Sequence, residues 1–414
     1  MSKLLKVNTQ CRICGSKKLE KFLSLGTTPL ANSFLKKGDF RKEKWFPLEV
    51  YFCNNCYLSQ LVDIVDKKHL FSHYVYFYSL MPQASEHFIT YAKDLIKRFI
   101  NIPKKQLVLE FGSNDGLLLK AFRENGCQRI LGVDPAKNVA NAANKIGVPT
   151  ITDFFSYSLV KKILKKYGKA KVIIANNTLA HINDLHDVAK AVDLIIEEDG
   201  VFVFEAPYLV DMFENLAFDS IYHEHLSYLT VSPLVYLFKQ YDMDVFNVEL
   251  ARRQGNSIRV FISRRRNFPI KSSVRRLLGK EKKMGLQKSK TYYALAKKIE
   301  NSKNKLNKIL TSLKKKKLRV AAYGSPARGN TILNYCKIGQ DVLDYATEEL
   351  QSKIGLYTPG MHIPVISIDQ ARENPPDYYL LLAWDYKDSI FKKEKAFIKR
   401  GGKFIMPVGG VKVF

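Results

Sequence analysis

The chain has 414 residues, with 67 Lys and Arg against 39 Asp and Glu and a formal net charge of +28. That length exceeds one ordinary hydrophobic core and predicts two or three domains at about 150 residues each. No uninterrupted apolar run approaches the roughly 18 residues of a membrane helix, and the start, Met1-Ser-Lys-Leu-Leu-Lys6, lacks the apolar core of a signal peptide. A cytoplasmic protein with no membrane association is the expectation. The charge attracts anions: nucleic acid, acidic membrane or a phosphorylated small molecule. Much of it is lysine, in runs such as Lys314–Lys317, where an exposed helical face accounts for it; arginine would be more diagnostic of phosphate geometry.

Of six cysteines, Cys11, Cys14, Cys53 and Cys56 form two C-x-x-C knuckles, and Cys127 and Cys336 stand alone. Two knuckles supply four thiolates for a tetrahedral Zn2+, and four thiolates leave no open position for water or substrate. The site is expected to be structural. The loop from Glu20 to Phe52 is longer than a compact zinc ribbon needs and is expected to carry its own small sheet.

Residues 68–98 mix aromatics and histidine before a helical pattern that ends near Phe99. Apolar runs of strand length follow, at Leu107–Phe111, Ile130–Val133, Val172–Ala175 and Val201–Phe204, separated by helix-like stretches. That alternation predicts a parallel sheet with crossover helices. Residues 270–316 read as one or two helices. A second series, at Leu318–Tyr323, Val342–Tyr345, Tyr378–Ala383 and Gly402–Met406, predicts a smaller α/β domain. The expected division is 1–67, 68–268 and 269–414.

The strand Leu107–Phe111 enters a glycine turn, Glu110-Phe-Gly112-Ser-Asn114-Asp-Gly116, and Gly132-Val-Asp134 closes the next strand. Glycines allow a tight turn against a ligand, and an acid ending the second strand accepts ribose hydroxyls. The pattern is E-x-G-x-x-x-G rather than G-x-G-x-x-G, and a carboxylate heading the turn suits a cationic ligand better than a pyrophosphate. This form looks like motif I of the class I S-adenosylmethionine-dependent methyltransferases. Asp153-Phe154-Phe155 then stands where it would edge the adenine. Asn176-Asn177 follows a strand where such enzymes line the donor pocket, with His181 beyond it as a further site residue or a packing histidine.

The densest chemistry lies in Phe218-Asp-Ser-Ile-Tyr222-His223-Glu224-His225-Leu-Ser-Tyr228. Imidazole is the side chain best poised to move protons near neutral pH. In an extended segment His223 and His225 would share one face with Glu224 opposite. Acid/base catalysis, a buried polar network and a metal pair are the competing readings. Near the C-terminus, Tyr323-Gly-Ser325-Pro-Ala-Arg328-Gly-Asn330-Thr331 follows a strand and offers backbone N–H groups and a helix start, with Arg328 able to add a bidentate phosphate contact.

Taken together these motifs resemble the zinc-containing sugar C-methyltransferases, which add a branch methyl to nucleotide-linked 4-keto-6-deoxyhexoses. The match runs nearly end to end: the cysteine quartet with Leu25-Gly-Thr-Thr-Pro-Leu-Ala-Asn32, Glu110–Gly116, Asn177–His181, Phe204-Glu-Ala-Pro-Tyr208, Phe218–Tyr228, Gln254–Arg259, Tyr323–Thr331 and Gly355–Pro364. Gln254 and Asn256 depart from the family's frequent histidine and glycine. The resemblance implies an α/β protein in three parts: an N-terminal zinc-binding module, a central class I methyltransferase Rossmann-like domain and a C-terminal second Rossmann-like domain. The substrate would lie between the last two.

The resemblance also implies S-adenosylmethionine as donor, S-adenosylhomocysteine as product, a structural Zn2+ and a nucleotide-diphosphate sugar as acceptor. His225, Tyr222 and Tyr76 match residues associated with deprotonation and positioning. The expected reaction is enolate formation at C3, with Glu224 and His181 orienting the imidazole. Lys353, Tyr357 and His362 fall in a loop that closes over the nucleotide, and Arg259 is expected to reach a phosphate. A monomer or small homo-oligomer is expected. C5 methylation is the nearest alternative; a nucleic-acid methyltransferase and a non-catalytic zinc-knuckle module are weaker ones, so nucleic acid is not expected as a partner.

Overall fold

The computed structural model describes residues 4–72, 74, 77–80, 84–252 and 256–414. Tyr76 and Gln254 lie outside the described residues, as does the side chain of Asn256. The strands in chain order are β1 (Leu5–Val7), β2 (Leu19–Pro29), β3 (Trp45–Cys53), β4 (Ser59–Leu61), β5 (Asp63–Val65), β6 (Leu107–Phe111), β7 (Arg129–Val133), β8 (Thr150–Ile151), β9 (Ala170–Asn176), β10 (Ile196–Pro207), β11 (Ser227–Tyr228), β12 (Met243–Arg252), β13 (Asn256–Arg264), β14 (Val320–Tyr323), β15 (Ala346–Glu348), β16 (Val365–Ser367), β17 (Tyr378–Leu381), β18 (Lys403–Met406) and β19 (Lys412–Val413).

The loop between the knuckles does carry a sheet. In β3, Phe46, Leu48, Val50 and Phe52 alternate inward and pack on β2, as a half-buried antiparallel strand should. That sheet runs β11-β4-β3-β2. Its edge strand β11 comes from far along the chain, immediately after the Tyr222–His225 stretch, and pairs Ser227 with Gln60 and Tyr228 with Ser59.

The central sheet has the order β12-β13-β10-β9-β6-β7-β8 and is parallel except for β13, which is antiparallel to both neighbours. Strand β6 is buried along its whole length, because helices cover both faces of such a sheet. The hairpin β12–β13 was not among the four strands expected here. The C-terminal sheet has the order β16-β15-β14-β17-β18-β19 and is parallel apart from β19. Its second strand begins at Ala346, just past the expected Val342–Tyr345. Residues 270–316 hold two helices, Ser272–Lys283 and Ser289–Lys315.

In open α/β sheets, ligands bind outside the strand carboxyl ends where strand order reverses. That reversal falls between β6 and β9 in the central sheet and between β14 and β17 in the C-terminal sheet. Apolar packing is continuous across the parts: Ile13 and Leu58 join the central core, while Phe22, Ile221, Leu306 and Leu333 share another. No helix among the described residues is long and apolar enough to cross a membrane.

Candidate active site

The four knuckle sulfurs lie within 4.8 Å of one another, with Cys11 and Cys56 3.4 Å apart and Cys14 and Cys53 3.5 Å apart. Zn–S bonds of about 2.3 Å in a tetrahedron place sulfurs roughly 3.8 Å apart, so this donor set fits Zn2+. Both knuckles turn the same way. Gly15 and Tyr57, each four residues after a first cysteine, adopt φ 67° and donate their N–H groups to Cys11 O (3.0 Å) and Cys53 O (2.9 Å).

A cavity of about 550 Å3 opens at the carboxyl ends of β6, β7 and β9, lined by Gly112, Asn114, Asp134, Phe154, Phe155 and Asn177 and closed by Leu4, Leu5 and Val65 of the zinc module. Gly112 has φ +66°, and a Cβ there would sit 2.0 Å from Thr178 Oγ1; the turn therefore requires glycine. Asp134 accepts from the N–H groups of Asn114 (2.8 Å) and Ala136 (2.9 Å), which fixes its carboxylate at the cavity wall. Gly116 caps the helix Leu117–Glu124 at φ 78°.

Glu110 is buried behind this turn, where burial pushes its carboxyl well above the usual range. Its Oε2 and Asn176 Nδ2 have no partner among the described residues. Glu110, Gly116 and Asn176 are not among the residues lining the cavity; those that line it, Asp134 as an acceptor for ribose hydroxyls, Phe154 and Phe155 for a purine face and Asn114 and Asn177 for polar groups, fit a nucleoside-bearing donor such as S-adenosylmethionine. Phe155 stacks on Phe111 with centroids 4.0 Å apart, and Lys67 Nζ lies 4.3 Å from the Phe154 ring centroid. Asp153 is exposed and accepts the Phe154 N–H; it is not among the residues lining the cavity.

A second cavity, of about 270 Å3, lies between the two switch points and is lined by Asn32, Tyr222, Glu224, His225, Tyr228, Arg328 and Asp385 among others. Tyr74, Tyr78, Asn177 and His181 line both cavities, which therefore adjoin. The Ser220 carbonyl lies 2.8 Å from His225 Nδ1 and so takes its proton, leaving Nε2 to accept from the Tyr222 hydroxyl at 2.9 Å. Burial, then the adjacent His181 and Arg328, hold the His225 pKa well below its ordinary value, and His181 is lowered to about 4 by burial. The two imidazoles stack 5.1 Å apart, and His181 stacks in turn on Phe71 at 5.5 Å. Glu224 accepts from Asn32 Nδ2 at 2.7 Å, and burial raises its carboxyl to about 7.

His223 departs from its expected place beside His225. The segment is a turn rather than a strand, so His223 points away and bonds Pro47 O at 3.1 Å, docking the loop on β3. Glu224, expected opposite, shares the cavity with His225.

The expected phosphate and nucleotide residues divide. Pro326, Ala327 and Arg328, at the start of the helix Ala327–Cys336, line the second cavity. Arg328 is held by Asp219 (3.0 Å) and by Asp385, above the Trp384 ring at 4.8 Å, and Trp384 Nε1 donates to Asp219 at 2.7 Å. The other expected contacts are occupied elsewhere. Arg259 bonds Glu205 directly across the β10–β13 pair at 2.6 Å, and Tyr323 donates to Glu394 at 3.0 Å inside the C-terminal core. Ser325 and Lys353 share Glu348 at 2.8 and 3.2 Å. Asn330 donates to Ala31 O at 2.7 Å, Tyr357 pairs its backbone with Leu35, and His362 bonds Glu43 at 2.9 Å while stacked 3.8 Å over Phe40. These last three fasten the C-terminal domain to residues 31–43.

Arg12, Asn32, Tyr78, Asp219 and Asp385 were not singled out from sequence. Asp219 lay inside the dense 218–228 stretch, and Asp385 just beyond the switch-point strand β17, which is the signal that would have found each.

Three family models match consecutive parts of the chain: a zinc-binding domain at 11–71, a methyltransferase domain at 85–248 and a C-methyltransferase C-terminal domain at 252–409. The C-methyltransferase NovU of Streptomyces niveus is 35% identical over 410 residues, covering 99% of this chain and 97% of that protein. Solved structures resemble only part of the chain. Magnesium protoporphyrin IX methyltransferase ChlM of Synechocystis, with bound SAM, is 11% identical at TM-score 0.33 over 44% of this chain and 79% of that one. A SAM-dependent methyltransferase of Anabaena variabilis is 11% identical at TM-score 0.35 over 42% and 84%. Similarity that weak assigns no activity.

Proposed function

The chain belongs to the zinc-containing, S-adenosylmethionine-dependent C-methyltransferase family, and from that premise we propose that it methylates C3 of a nucleotide-linked 4-keto-6-deoxyhexose through a base-generated enolate. The observation that carries this reading is the half-buried Tyr222–His225 pair in a cavity that shares Asn177 and His181 with the cofactor cavity.

Carbon is a poor nucleophile unless a neighbouring carbonyl acidifies its hydrogen, which is why a 4-keto group is required. Ser220 fixes the His225 tautomer that presents a basic Nε2, and burial keeps the ring neutral at physiological pH. When the Tyr222 hydroxyl turns from Nε2 to the C4 oxygen, it frees the imidazole for the C3 proton and stabilises the oxyanion as it forms. The bound cofactor supplies an electrophilic methyl group. Asn177 and His181, at the junction, hold the two ligands in line. The diphosphate lies toward the N-terminus of the helix Ala327–Cys336, with Arg328 at the same wall.

The test is mass spectrometry of methyl transfer from isotopically labelled S-adenosylmethionine to TDP-, GDP- and UDP-linked 4-keto-6-deoxyhexoses, with DNA and RNA as controls. Label at C3 of a ketosugar supports the reading. Label at C5 moves the reaction to the other carbon beside the ketone, and label in nucleic acid alone contradicts the proposal.

A further inference from the structure

Arg12 lies inside the first zinc knuckle, between Cys11 and Cys14, yet it is 5% exposed and its guanidinium bonds residues outside the knuckle. Its Nη1 donates to the Leu226 carbonyl at 3.0 Å and to Gln60 Oε1 at 3.0 Å, and its Nε donates to Asn183 Oδ1 at 3.0 Å. All three acceptors are neutral. Four thiolates on Zn2+ carry a net charge of about −2, which supplies the nearby counter-charge that a buried guanidinium needs.

Leu226 is the residue after His225. Its carbonyl also accepts from the Leu61 N–H at 3.0 Å, and its own N–H donates to Ala180 O at 2.8 Å, in the turn that ends at His181. One residue, Leu226, therefore connects the knuckle, the zinc-module sheet and the two turns that bear the stacked imidazoles. The β11–β4 ladder spans only Ser227 and Tyr228, so the stretch bearing Glu224 and His225 enters that ladder through Leu226.

We propose that Arg12 is a positioning residue: it uses the zinc knuckle as an anchor to set Leu226, and through it His225, in the cavity that adjoins the cofactor cavity. The metal is thereby tied to the acid/base loop while remaining coordinatively closed. The inference rests on His225 being the base.

The experiment compares zinc-loaded Arg12→Met, Arg12→Lys and His225→Ala with wild type. Measured are zinc content, S-adenosylhomocysteine affinity by calorimetry, kcat with the ketosugar that accepts label, and the His225 ring titration by 15N NMR. Arg12→Met is expected to retain zinc and bind S-adenosylhomocysteine within about twofold of wild type. Its kcat should fall roughly tenfold, and the His225 titration should rise by about one unit toward the ordinary value as water reaches the loosened loop. Arg12→Lys, keeping one donor for Leu226, should recover part of both.

Zinc retained with kcat and titration unchanged overturns the proposal. Where both Arg12 variants lose zinc and cofactor binding, Gln60→Met, which leaves the charge but removes an acceptor, decides: a kcat loss with zinc in place supports the anchoring role, and an unchanged kcat overturns it, leaving Arg12 only to fold the module. An active His225→Ala overturns the base assignment instead. An inactive His225→Ala beside a fully active Arg12→Met overturns the anchoring role alone.

Discussion

Replacing Arg328 by Met removes a cation from between two acids, and the consequence should be loss of stability as well as of substrate affinity. Asp219 has no exposed side-chain surface and Asp385 is 13% exposed. Removing one partner from a buried ionic cluster costs about 3–5 kcal/mol, because the remaining charge is left uncompensated. The low end applies here. Asp219 keeps its bond from Trp384, and Asp385, already raised to about 6 chiefly by burial, can escape by taking a proton. About 3 kcal/mol corresponds to roughly 6–12 °C in Tm for a domain of this size. The assay is differential scanning calorimetry of the zinc-loaded protein, with Arg328→Met/Asp219→Asn/Asp385→Asn as the compensated variant.

The pH dependence of this gap has a definite sign. A carboxyl raised in the folded state contributes stability that is present at low pH and lost as pH rises through its folded pKa. Arg328 offsets that loss, so the gap between wild type and Arg328→Met should widen between pH 5 and 8. A variant whose Tm stays within about 2 °C of wild type across that range, with no benefit from the added Asn substitutions, would refute the reasoning. In turnover, kcat should fall along with affinity, since Arg328 also faces the Tyr222–His225 pair.

Gly112→Ala places a Cβ 2.0 Å from Thr178 Oγ1 at a left-handed φ, so S-adenosylhomocysteine affinity by calorimetry should drop at least about tenfold; a loss under twofold would mean that the turn yields. Glu224 is raised to about 7 by burial against an ordinary 4.5, so its protonated form favours the folded state and that contribution disappears as pH rises through 7. Urea titrations should accordingly show Glu224→Gln gaining on wild type from pH 5 to 8, and a constant offset would contradict the burial argument. Tyr222→Phe removes one hydrogen bond to His225; kcat should fall about 10–100-fold with S-adenosylhomocysteine affinity unchanged, and an undiminished kcat would remove Tyr222 from the mechanism.

What the sequence conveyed was local. C-x-x-C spacing, the E-x-G-x-x-x-G turn and the Tyr222–His225 cluster are written in neighbouring residues: the four sulfurs converge, Gly112 and Asn114 of the turn line the first cavity, and Tyr222, Glu224 and His225 line the second. The hairpin β12–β13 was missed because a parallel crossover scheme has no place for an antiparallel pair at the sheet edge. The division between His223 and His225 was missed because period-2 alternation assumes a strand where the chain forms a turn. Arg259 was expected to reach a phosphate, Tyr323 to open the phosphate turn and Lys353, by resemblance, to lie in a loop over the nucleotide. Arg259 and Tyr323 instead meet Glu205 and Glu394, 54 and 71 residues away, and Lys353 meets the nearby Glu348. Long-range partnership also hid Arg12 and Asp219, whose significance lies in contacts 214 and 109 residues away.

The most direct test of the account is deuterium exchange at the carbon beside the ketone. The ketosugar that accepts label is incubated in D2O with S-adenosylhomocysteine in place of the donor, and C3 is followed by NMR in wild type and His225→Ala. The account predicts exchange at C3 by the wild-type enzyme, with the rate for His225→Ala down at least about a hundredfold and S-adenosylhomocysteine still bound. Exchange at the wild-type rate in His225→Ala would contradict it, because the proton would then be leaving to another base.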